Sequence, residues 1–265
     1  MQLGGTTALL TGASGGIGQA IARELHGRGA RVLLSGRRTK TLEALRAELG
    51  GSAEAIEADL AHPTAPAALA ERAGAVDALV ANAALPASGP LDSFSPEEID
   101  RALVVNLRAP IQLARALVPG MVDRGRGHVV IVSSLAGKVA SVGSAVYSAT
   151  KFGLRGFAAG LREDLHGTGV GVTVVFPSFI RDAGMYADTQ VALPPWVGTR
   201  TPADVGRAVV RGIETSTPEI DVMPLSLKLG AIASALSPTT AARVQRRLGS
   251  EAIAEAIARE QRTKR

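Results

Sequence analysis

Short apolar segments alternate along the chain with longer stretches in which apolar residues recur every three to four positions. Seven β-rich segments predict strands at residues 6–11, 30–35, 53–57, 76–81, 128–133, 170–176 and 219–223. The intervening periodicity predicts helices over residues 16–28, 39–49, 63–72, 96–123, 144–166 and 202–215. Ser95 and Thr201 each precede a proline and are the expected N-caps of two of these helices. The alternation predicts an α/β fold, a doubly wound seven-stranded parallel sheet with helices on both faces.

Two segments lie outside this alternation. Residues 177–200 are rich in Pro and Gly and predict a long loop, which we expect to act as a lid. Residues 224–265 predict a C-terminal helical extension, in which one helical face carries Leu225, Leu229, Ile232 and Leu236. Ser250 is the expected cap of a last helix that carries Ile253 and Ile257. We expect the extension to pack on the domain, with a membrane surface or a subunit contact as alternatives.

Composition narrows the class of protein. With 265 residues, of which 46% are apolar, the chain can bury one large core and predicts a single globular domain. It contains no apolar stretch of about 20 residues and no basic leader before residue 6, so a cytoplasmic protein is expected. The absence of cysteine excludes disulfides and thiolate chemistry. No metal site is expected, because the spacing of the four histidines is not that of metal ligands: His26, His62, His128 and His166.

The net charge of +5 raises the question of a nucleic-acid partner. Most of the excess lies in residues 218–265, which hold eight basic and five acidic side chains. Aromatic residues do not interleave with these basic residues as a base-stacking surface would require. The pattern therefore predicts solvated helix faces and no nucleic-acid binding.

A glycine-rich loop follows the first predicted strand. Residues 12–18 read Gly-Ala-Ser-Gly-Gly-Ile-Gly, which gives the spacing Gly-x-x-x-Gly-x-Gly. Glycines permit positive φ and close approach of a ligand, and the start of the next helix offers free N–H groups to a pyrophosphate. We predict dinucleotide binding here, with a purely structural tight turn as the alternative.

The end of the second predicted strand bears on the choice of cofactor. An acidic residue there would hydrogen-bond the ribose of NAD, but the chain instead reads Gly36-Arg37-Arg38. The guanidinium of Arg37 suits a 2′-phosphate, so NADP(H) is expected over NAD(H). The alternative is a solvated pair of arginines.

One predicted helix carries a phenol and an ammonium one turn apart, at Tyr147 and Lys151. A free phenol titrates near pH 10, so it needs a neighbouring cation to act as acid or base at neutral pH. Ser134 follows the fifth predicted strand, where its hydroxyl could bond a substrate oxygen. Asn106 lies inside a predicted helix, an unusual place for an amide unless it bonds something.

These elements appear in the order Thr11-Gly12-Ala13-Ser14-Gly15-Gly16-Ile17-Gly18, Asp59-Leu60, Asn82-Ala83-Ala84, Asn106, Ser134 and Tyr147-x-x-x-Lys151. From about residue 6 to residue 223 the chain resembles the short-chain dehydrogenase/reductase family, in its compact single-domain branch. The resemblance implies a Rossmann-like catalytic domain over residues 1–223, followed by the extension at 224–265. It also implies a homodimer or homotetramer.

The resemblance implies a role for each matching residue. Tyr147 would be the general acid or base, with Lys151 lowering its pKa and binding the nicotinamide ribose. Ser134 would orient the substrate oxygen, and Asn106 would hold a water that relays protons. The remaining cofactor contacts that it implies, together with those predicted above, are Gly12, Ser14, Gly15, Gly16, Ile17, Gly18, Arg37, Asp59, Leu60, Asn82, Pro177 and Asp182.

Three positions depart from the family's pattern. Ala84 stands where a glycine is usual, and Pro177-Ser178 stands where Pro-Gly is usual. Asp182 replaces the usual threonine, although its carboxylate could still accept a hydrogen bond from the nicotinamide amide.

Aromatic residues crowd the end of the sixth strand and the loop after it: Phe176, Phe179, Tyr186 and Trp196. We expect them to line or cover an apolar substrate, with a plain hydrophobic anchor as the alternative. The prediction is thus an oxidoreductase that moves a hydride between NADP(H) and an apolar small-molecule carbonyl or alcohol. The alternative is a non-catalytic dinucleotide-binding sensor or scaffold.

Overall fold

The computed structural model describes residues 1–189, 191–194, 197–247 and 250–262. Its seven strands are β1 (Thr7–Thr11), β2 (Arg31–Gly36), β3 (Ala53–Glu57), β4 (Ala78–Ala81), β5 (Gly127–Val132), β6 (Val170–Pro177) and β7 (Glu219–Val222). They pair in parallel in the order β3-β2-β1-β4-β5-β6-β7. The order reverses between β1 and β4, and the carboxyl ends of these strands flank the crevice where such folds bind ligands.

Helices cover both faces of the sheet. Their bounds are α1 (Gly16–Gly27), α2 (Thr39–Leu49), α3 (Ala65–Ala73), α4 (Pro96–Leu103), α5 (Ala109–Asp123), α6 (Ala145–Asp164), α7 (Pro202–Thr215), α8 (Leu225–Leu236), α9 (Pro238–Arg247) and α10 (Ser250–Gln261). Buried side chains of α1, α2 and α7 form the core on one face, and those of α3, α5 and α6 form the core on the other. The inner strands, such as β4 and β5, are buried on both faces, which explains why they read as continuous apolar segments, whereas the edge strands β3 and β7 keep partly exposed positions.

The predicted elements are confirmed, with one correction. All seven strands and all six helices occur, with ends within two residues of the prediction. Ser95 and Thr201 both cap their helices, each in a reciprocal capping box. The helix predicted over 96–123 is interrupted by a π-helical turn at Val104–Arg108. This turn carries Asn106, and such turns are frequent at functional sites.

The extension is helical, but its predicted packing face is wrong. Leu225, Leu229, Ile232 and Leu236 are 68%, 58%, 50% and 83% exposed. The opposite side of α8 packs on the domain instead, through Leu227 and the buried Ala231. The predicted last helix occurs as α10, which spans Ser250–Gln261. The side chains of Ser250, the predicted cap, and of Ile253 are not described. Over the residues described, every helix is too short or too polar to cross a membrane.

Candidate active site

The glycine loop forms the turn from β1 into α1. Gly12 has a φ of 68°, a conformation that favours glycine. A Cβ on Gly18 would overlap the carbonyl oxygen of Gly12, so the start of the helix packs directly on the loop. Gly15 occupies the N-cap position without a side-chain cap, which leaves the first N–H groups of α1 available to a ligand.

Asn82 fastens this loop to the end of β4. Its amide Nδ2 donates to the carbonyl oxygens of Thr11, at 3.1 Å, and of Gly12, at 3.3 Å. In return, the backbone N–H groups of Asn82 and Ala83 donate to the Thr11 hydroxyl at 3.1 Å. Four hydrogen bonds therefore hold the two strand ends together at the switch point of the sheet.

The end of β2 brings two arginines to the same edge. Arg37 is exposed there, as expected for a residue that meets a ligand or solvent. The sequence did not single out Arg38 as a site residue, but its guanidinium donates to the Ser14 carbonyl oxygen of the glycine loop. Only the adjacent basic pair in the sequence hinted at this contact.

Asp59 and Leu60 follow β3 at the same edge of the sheet. The carboxylate of Asp59 is exposed and accepts a hydrogen bond from the Ala61 N–H at 3.1 Å. The Leu60 side chain is 6% exposed and packs in the core beneath it. The leucine anchors the turn and the aspartate carboxylate is left exposed, so its contact with the cofactor stays a prediction.

Tyr147, Lys151 and Ser134 converge beside the glycine loop. Lys151 is 2% exposed, and its Nζ lies 5.5 Å from the centroid of the Tyr147 ring. The ammonium donates to the carbonyl oxygen of Val132 at 3.2 Å, at the end of β5. Ser134 begins the turn after β5, and its hydroxyl is hydrogen-bonded with the Tyr147 phenol. The structure thus brings together the three groups that the sequence predicted.

Burial governs the ionisation of this cluster. It raises the pKa of Tyr147 to about 12, and the hydrogen bond with Ser134 opposes this shift only in part. Burial also lowers the pKa of Lys151 to about 8. Loss of solvation is the larger of the two effects on Tyr147, and a lowering of its pKa by Lys151 stays a prediction. At neutral pH the phenol is protonated and can act as a proton donor.

Asn106 lies in the π-helical turn with its side chain fully buried. Its Oδ1 accepts from the Leu85 N–H at 2.6 Å, and its Nδ2 donates to the Leu85 carbonyl oxygen at 2.9 Å. The amide is therefore committed to the loop after β4. The relay water implied for this residue stays a prediction.

A cavity of about 730 Å³ opens in front of this cluster. Ser134, Tyr147 and Lys151 line it together with Ile17, Asn82 and Pro177. Its other walls, which come mainly from residues 135–144, from the loop at 177–200 and from the extension, are largely apolar. Such a cavity suits an apolar ligand whose orientation is fixed by a few polar groups.

The loop at 177–200 packs over the start of α1. A Cβ on Gly16 would overlap the Cβ of Ala183, so the two segments are in direct contact. Phe179 and Tyr186 pack edge to face with centroids 5.2 Å apart, and the Tyr186 hydroxyl donates to the Val191 carbonyl oxygen at 2.7 Å. Both aromatics line the cavity, as expected of a lid. Trp196 lies outside the described residues.

Phe176 was wrongly grouped with the lid. Its side chain is fully buried in the core on the α5 and α6 face. The Nζ of Lys138 lies 4.2 Å from the ring centroid. Lys138 pairs with Asp221 at 2.6 Å and with Glu219 at 3.0 Å, which ties the turn after Ser134 to β7. No pattern in the sequence indicates this network, because Lys138, Phe176, Glu219 and Asp221 are far apart along the chain.

Known proteins are similar to this chain in sequence. Residues 6–192 match the family model described as short chain dehydrogenase. Ketoacyl reductase HetN of Nostoc sp. is 38% identical over 260 residues, which cover 93% of this chain and 90% of HetN. The chain belongs to the short-chain dehydrogenase/reductase family.

Two solved structures of short-chain dehydrogenases extend the comparison. A metagenomic short-chain oxidoreductase in complex with NADP is 36% identical, with a TM-score of 0.70 over 84% of this chain and 97% of that one. A short-chain dehydrogenase from Sphingobium yanoikuyae in complex with NADPH is 29% identical, with a TM-score of 0.77 over 89% of this chain and 95% of that one. The family consists of oxidoreductases that bind a nicotinamide cofactor.

The three departures from the short-chain dehydrogenase pattern have different structural settings. Ala84 needs no unusual backbone, since Asp182 and Ser216 are the described non-glycine residues with positive φ. Ser178 donates its N–H to the Val222 carbonyl oxygen at 3.1 Å and continues the edge of the sheet. The Asp182 side chain is 66% exposed and lies 3.5 Å from Arg181. Asp182 is not one of the described residues that line the cavity. Its contact with nicotinamide therefore stays a prediction.

Proposed function

We propose that this chain is an NADP(H)-dependent reductase of apolar carbonyl compounds, with Tyr147 as the proton donor. The observation that carries the proposal is the convergence of Tyr147, Ser134 and Lys151 on one apolar cavity beside the glycine loop. The similarity to proteins solved with NADP and NADPH supports the choice of cofactor.

The residues at the crevice fit a dinucleotide. The uncapped start of α1 and the close turn at Gly12 and Gly18 suit a pyrophosphate, and Arg37 suits a 2′-phosphate. Arg38, through its bond to Ser14, would hold the loop in place. The further residues proposed to hold the cofactor are Gly15, Gly16, Ile17, Asp59, Leu60, Asn82, Pro177 and Asp182. When bound, NADPH supplies the hydride for the reaction.

Side chains of the protein would supply the proton. As the carbonyl carbon accepts the hydride, negative charge grows on the oxygen, and the protonated Tyr147 donates to it. Ser134 would orient the same oxygen through its hydroxyl. The buried Lys151 ammonium would stabilise the phenolate that forms, because charge attraction is strong where water is excluded. With its raised pKa, Tyr147 is protonated at neutral pH, which is the form that carbonyl reduction requires.

A panel of ketones and aldehydes with NADPH or NADH tests the proposal. We expect oxidation of NADPH with at least one apolar ketone, and slower oxidation of NADH. Arg37→Asp is expected to weaken NADPH binding by about 10- to 100-fold and NADH binding much less, because a charged hydrogen bond is lost. Equal losses for both cofactors would show that Arg37 does not read the phosphate. Binding of NADPH without turnover of any carbonyl would favour a non-catalytic sensor.

A further inference from the structure

The extension forms one wall of the cavity. Residues of α8, α9 and α10 line it, among them Ala231, Ala241, Ala254, Ile257 and Gln261. All of them lie after the segment that matches the family model, which ends at residue 192. This wall therefore lies outside the part of the chain that the family model describes, and it is where substrate selection can reside.

Gln261 is the unusual residue in this wall. Its side chain is 6% exposed, and its Nε2 donates to the Met185 carbonyl oxygen of the lid at 3.2 Å. The Oε1 atom is buried and has no hydrogen-bond partner among the described residues. Rotating the amide would not remove the problem, because it would place Oε1 against another oxygen. A buried acceptor without a donor calls for an explanation.

The surroundings indicate which ligand would satisfy this acceptor. Ser237 and Thr240, two other polar residues of the wall, are hydrogen-bonded to each other at 2.9 Å. Lys151 is the sole cation among the described residues that line the cavity, so this wall offers no counter-charge to an anionic ligand. Neighbouring side chains such as Leu227 and Ile257 are apolar. The matching group is a neutral donor, an O–H or an amide N–H, on an apolar molecule.

We propose that Gln261 is a specificity-determining residue whose Oε1 accepts a hydrogen bond from a neutral donor on an elongated, otherwise apolar carbonyl substrate. The inference rests on the proposed function. The substrate must be elongated because its carbonyl has to reach Tyr147 while its donor reaches the wall formed by α10. A cavity of about 730 Å³ is large enough for such a molecule.

Matched substrates test this inference. Three ketones of equal length would be compared with NADPH: one with a plain alkyl end, one with a terminal hydroxyl and one with a terminal secondary amide. Gln261→Met keeps the length of the side chain but removes the acceptor. It is expected to lower kcat/KM for a donor-bearing ketone by about 3- to 10-fold, mainly through KM, while the plain ketone changes by less than about 2-fold.

The control variant is Glu260→Met, which alters the exposed neighbour on the same helix. It is expected to leave all three substrates unaffected. Equal losses on all three ketones in Gln261→Met would overturn the proposal, since they would mean that Gln261 merely ties α10 to the lid. The amide and hydroxyl substrates show which donor the site accepts.

A second test uses the unaltered enzyme with modified substrates, so it does not require that any variant folds. Capping the terminal hydroxyl as a methyl ether removes the donor and keeps the chain. We expect kcat/KM to fall by about 3- to 10-fold, and an unchanged value would refute the inference. Turnover of the plain ketone without any donor preference would defeat this inference alone, whereas turnover of no ketone would defeat the proposed function.

Discussion

Replacing Asn106 by leucine separates a structural role from a relay role. Leucine has a similar size but can make neither of the two hydrogen bonds with the Leu85 backbone, which measure 2.6 and 2.9 Å. Each buried backbone group left unpaired costs about 1–3 kcal/mol, and the apolar side chain recovers a part of this. We expect the free energy of unfolding to fall by about 3 kcal/mol, or the Tm by roughly 6–12 °C for a domain of this size.

Urea unfolding followed by circular dichroism measures this loss. Gln112→Leu makes the same chemical change at a partly buried position of α5 and is expected to stay within about 0.5 kcal/mol of the unaltered protein. Asn106→Asp keeps the acceptor but places a second oxygen against the Leu85 carbonyl and buries a charge, so at neutral pH it should destabilise at least as much as leucine. If Asn106→Leu were as stable as the control, the bonds to Leu85 would not support the fold. Full activity in the folded Leu variant would exclude any part of the Asn106 side chain in catalysis.

Three further predictions follow from the charged groups. Because burial lowers the pKa of Lys151 to about 8, kcat/KM for carbonyl reduction should fall as pH rises through about 8, as a pH profile with NADPH will show. His128 is buried against the Thr173 hydroxyl, and burial, followed by the charges of the N-terminus and Arg162, lowers its pKa from 6.5 to about 3. The native state thus resists protonation, so stability present above pH 6.5 is lost as pH falls toward about 3, by up to about 5 kcal/mol in unfolding titrations. Lys138→Met removes the cation shared by Asp221 and Glu219, and should cost about 1–3 kcal/mol of stability in denaturant unfolding.

Each of these has a control. For Lys151, NADPH affinity measured across the same pH range shows whether the fall in kcat/KM arises from catalysis or from cofactor binding. A kcat/KM that stays constant through pH 8 would contradict the role of Lys151. His128→Leu should weaken the acid dependence of stability, and an unaltered dependence would mean that other groups cause it. Lys228→Met removes a half-exposed cation 3.6 Å from Asp221 and should matter less than Lys138→Met. Equal losses of stability in the two variants would show that the ion pairs of Lys138 contribute no more than the exposed pair of Lys228.

Much of the fold could be predicted because its determinants are local. The inner strands are short apolar segments buried on both faces, and the N-caps Ser95 and Thr201 lie next to the helices that they start. The positions of Tyr147, Lys151 and Ser134 could also be predicted, since a helical turn or a strand end places each of them.

What could not be predicted depends on contacts between distant segments. The π-helical turn at Asn106 leaves no mark in the apolar pattern of the helix. The face of α8 that packs was misjudged because its largest apolar residues, including Leu225 and Leu236, are exposed and the smaller Ala231 is buried. The shift of the Tyr147 pKa depends on how deeply the phenol is enclosed, which sequence spacing does not give.

The proton-donor role of Tyr147 is the central claim, and a single-turnover measurement with Tyr147→Phe tests it most directly. NADPH binding is measured first, and hydride transfer to an accepted ketone is then followed by stopped-flow absorbance. The phenylalanine variant is expected to bind NADPH with a Kd within about 3-fold of the unaltered enzyme, while hydride transfer slows by about 10²- to 10⁴-fold. Hydride transfer at an unchanged rate in a variant that binds NADPH would contradict the assignment of Tyr147 as the acid.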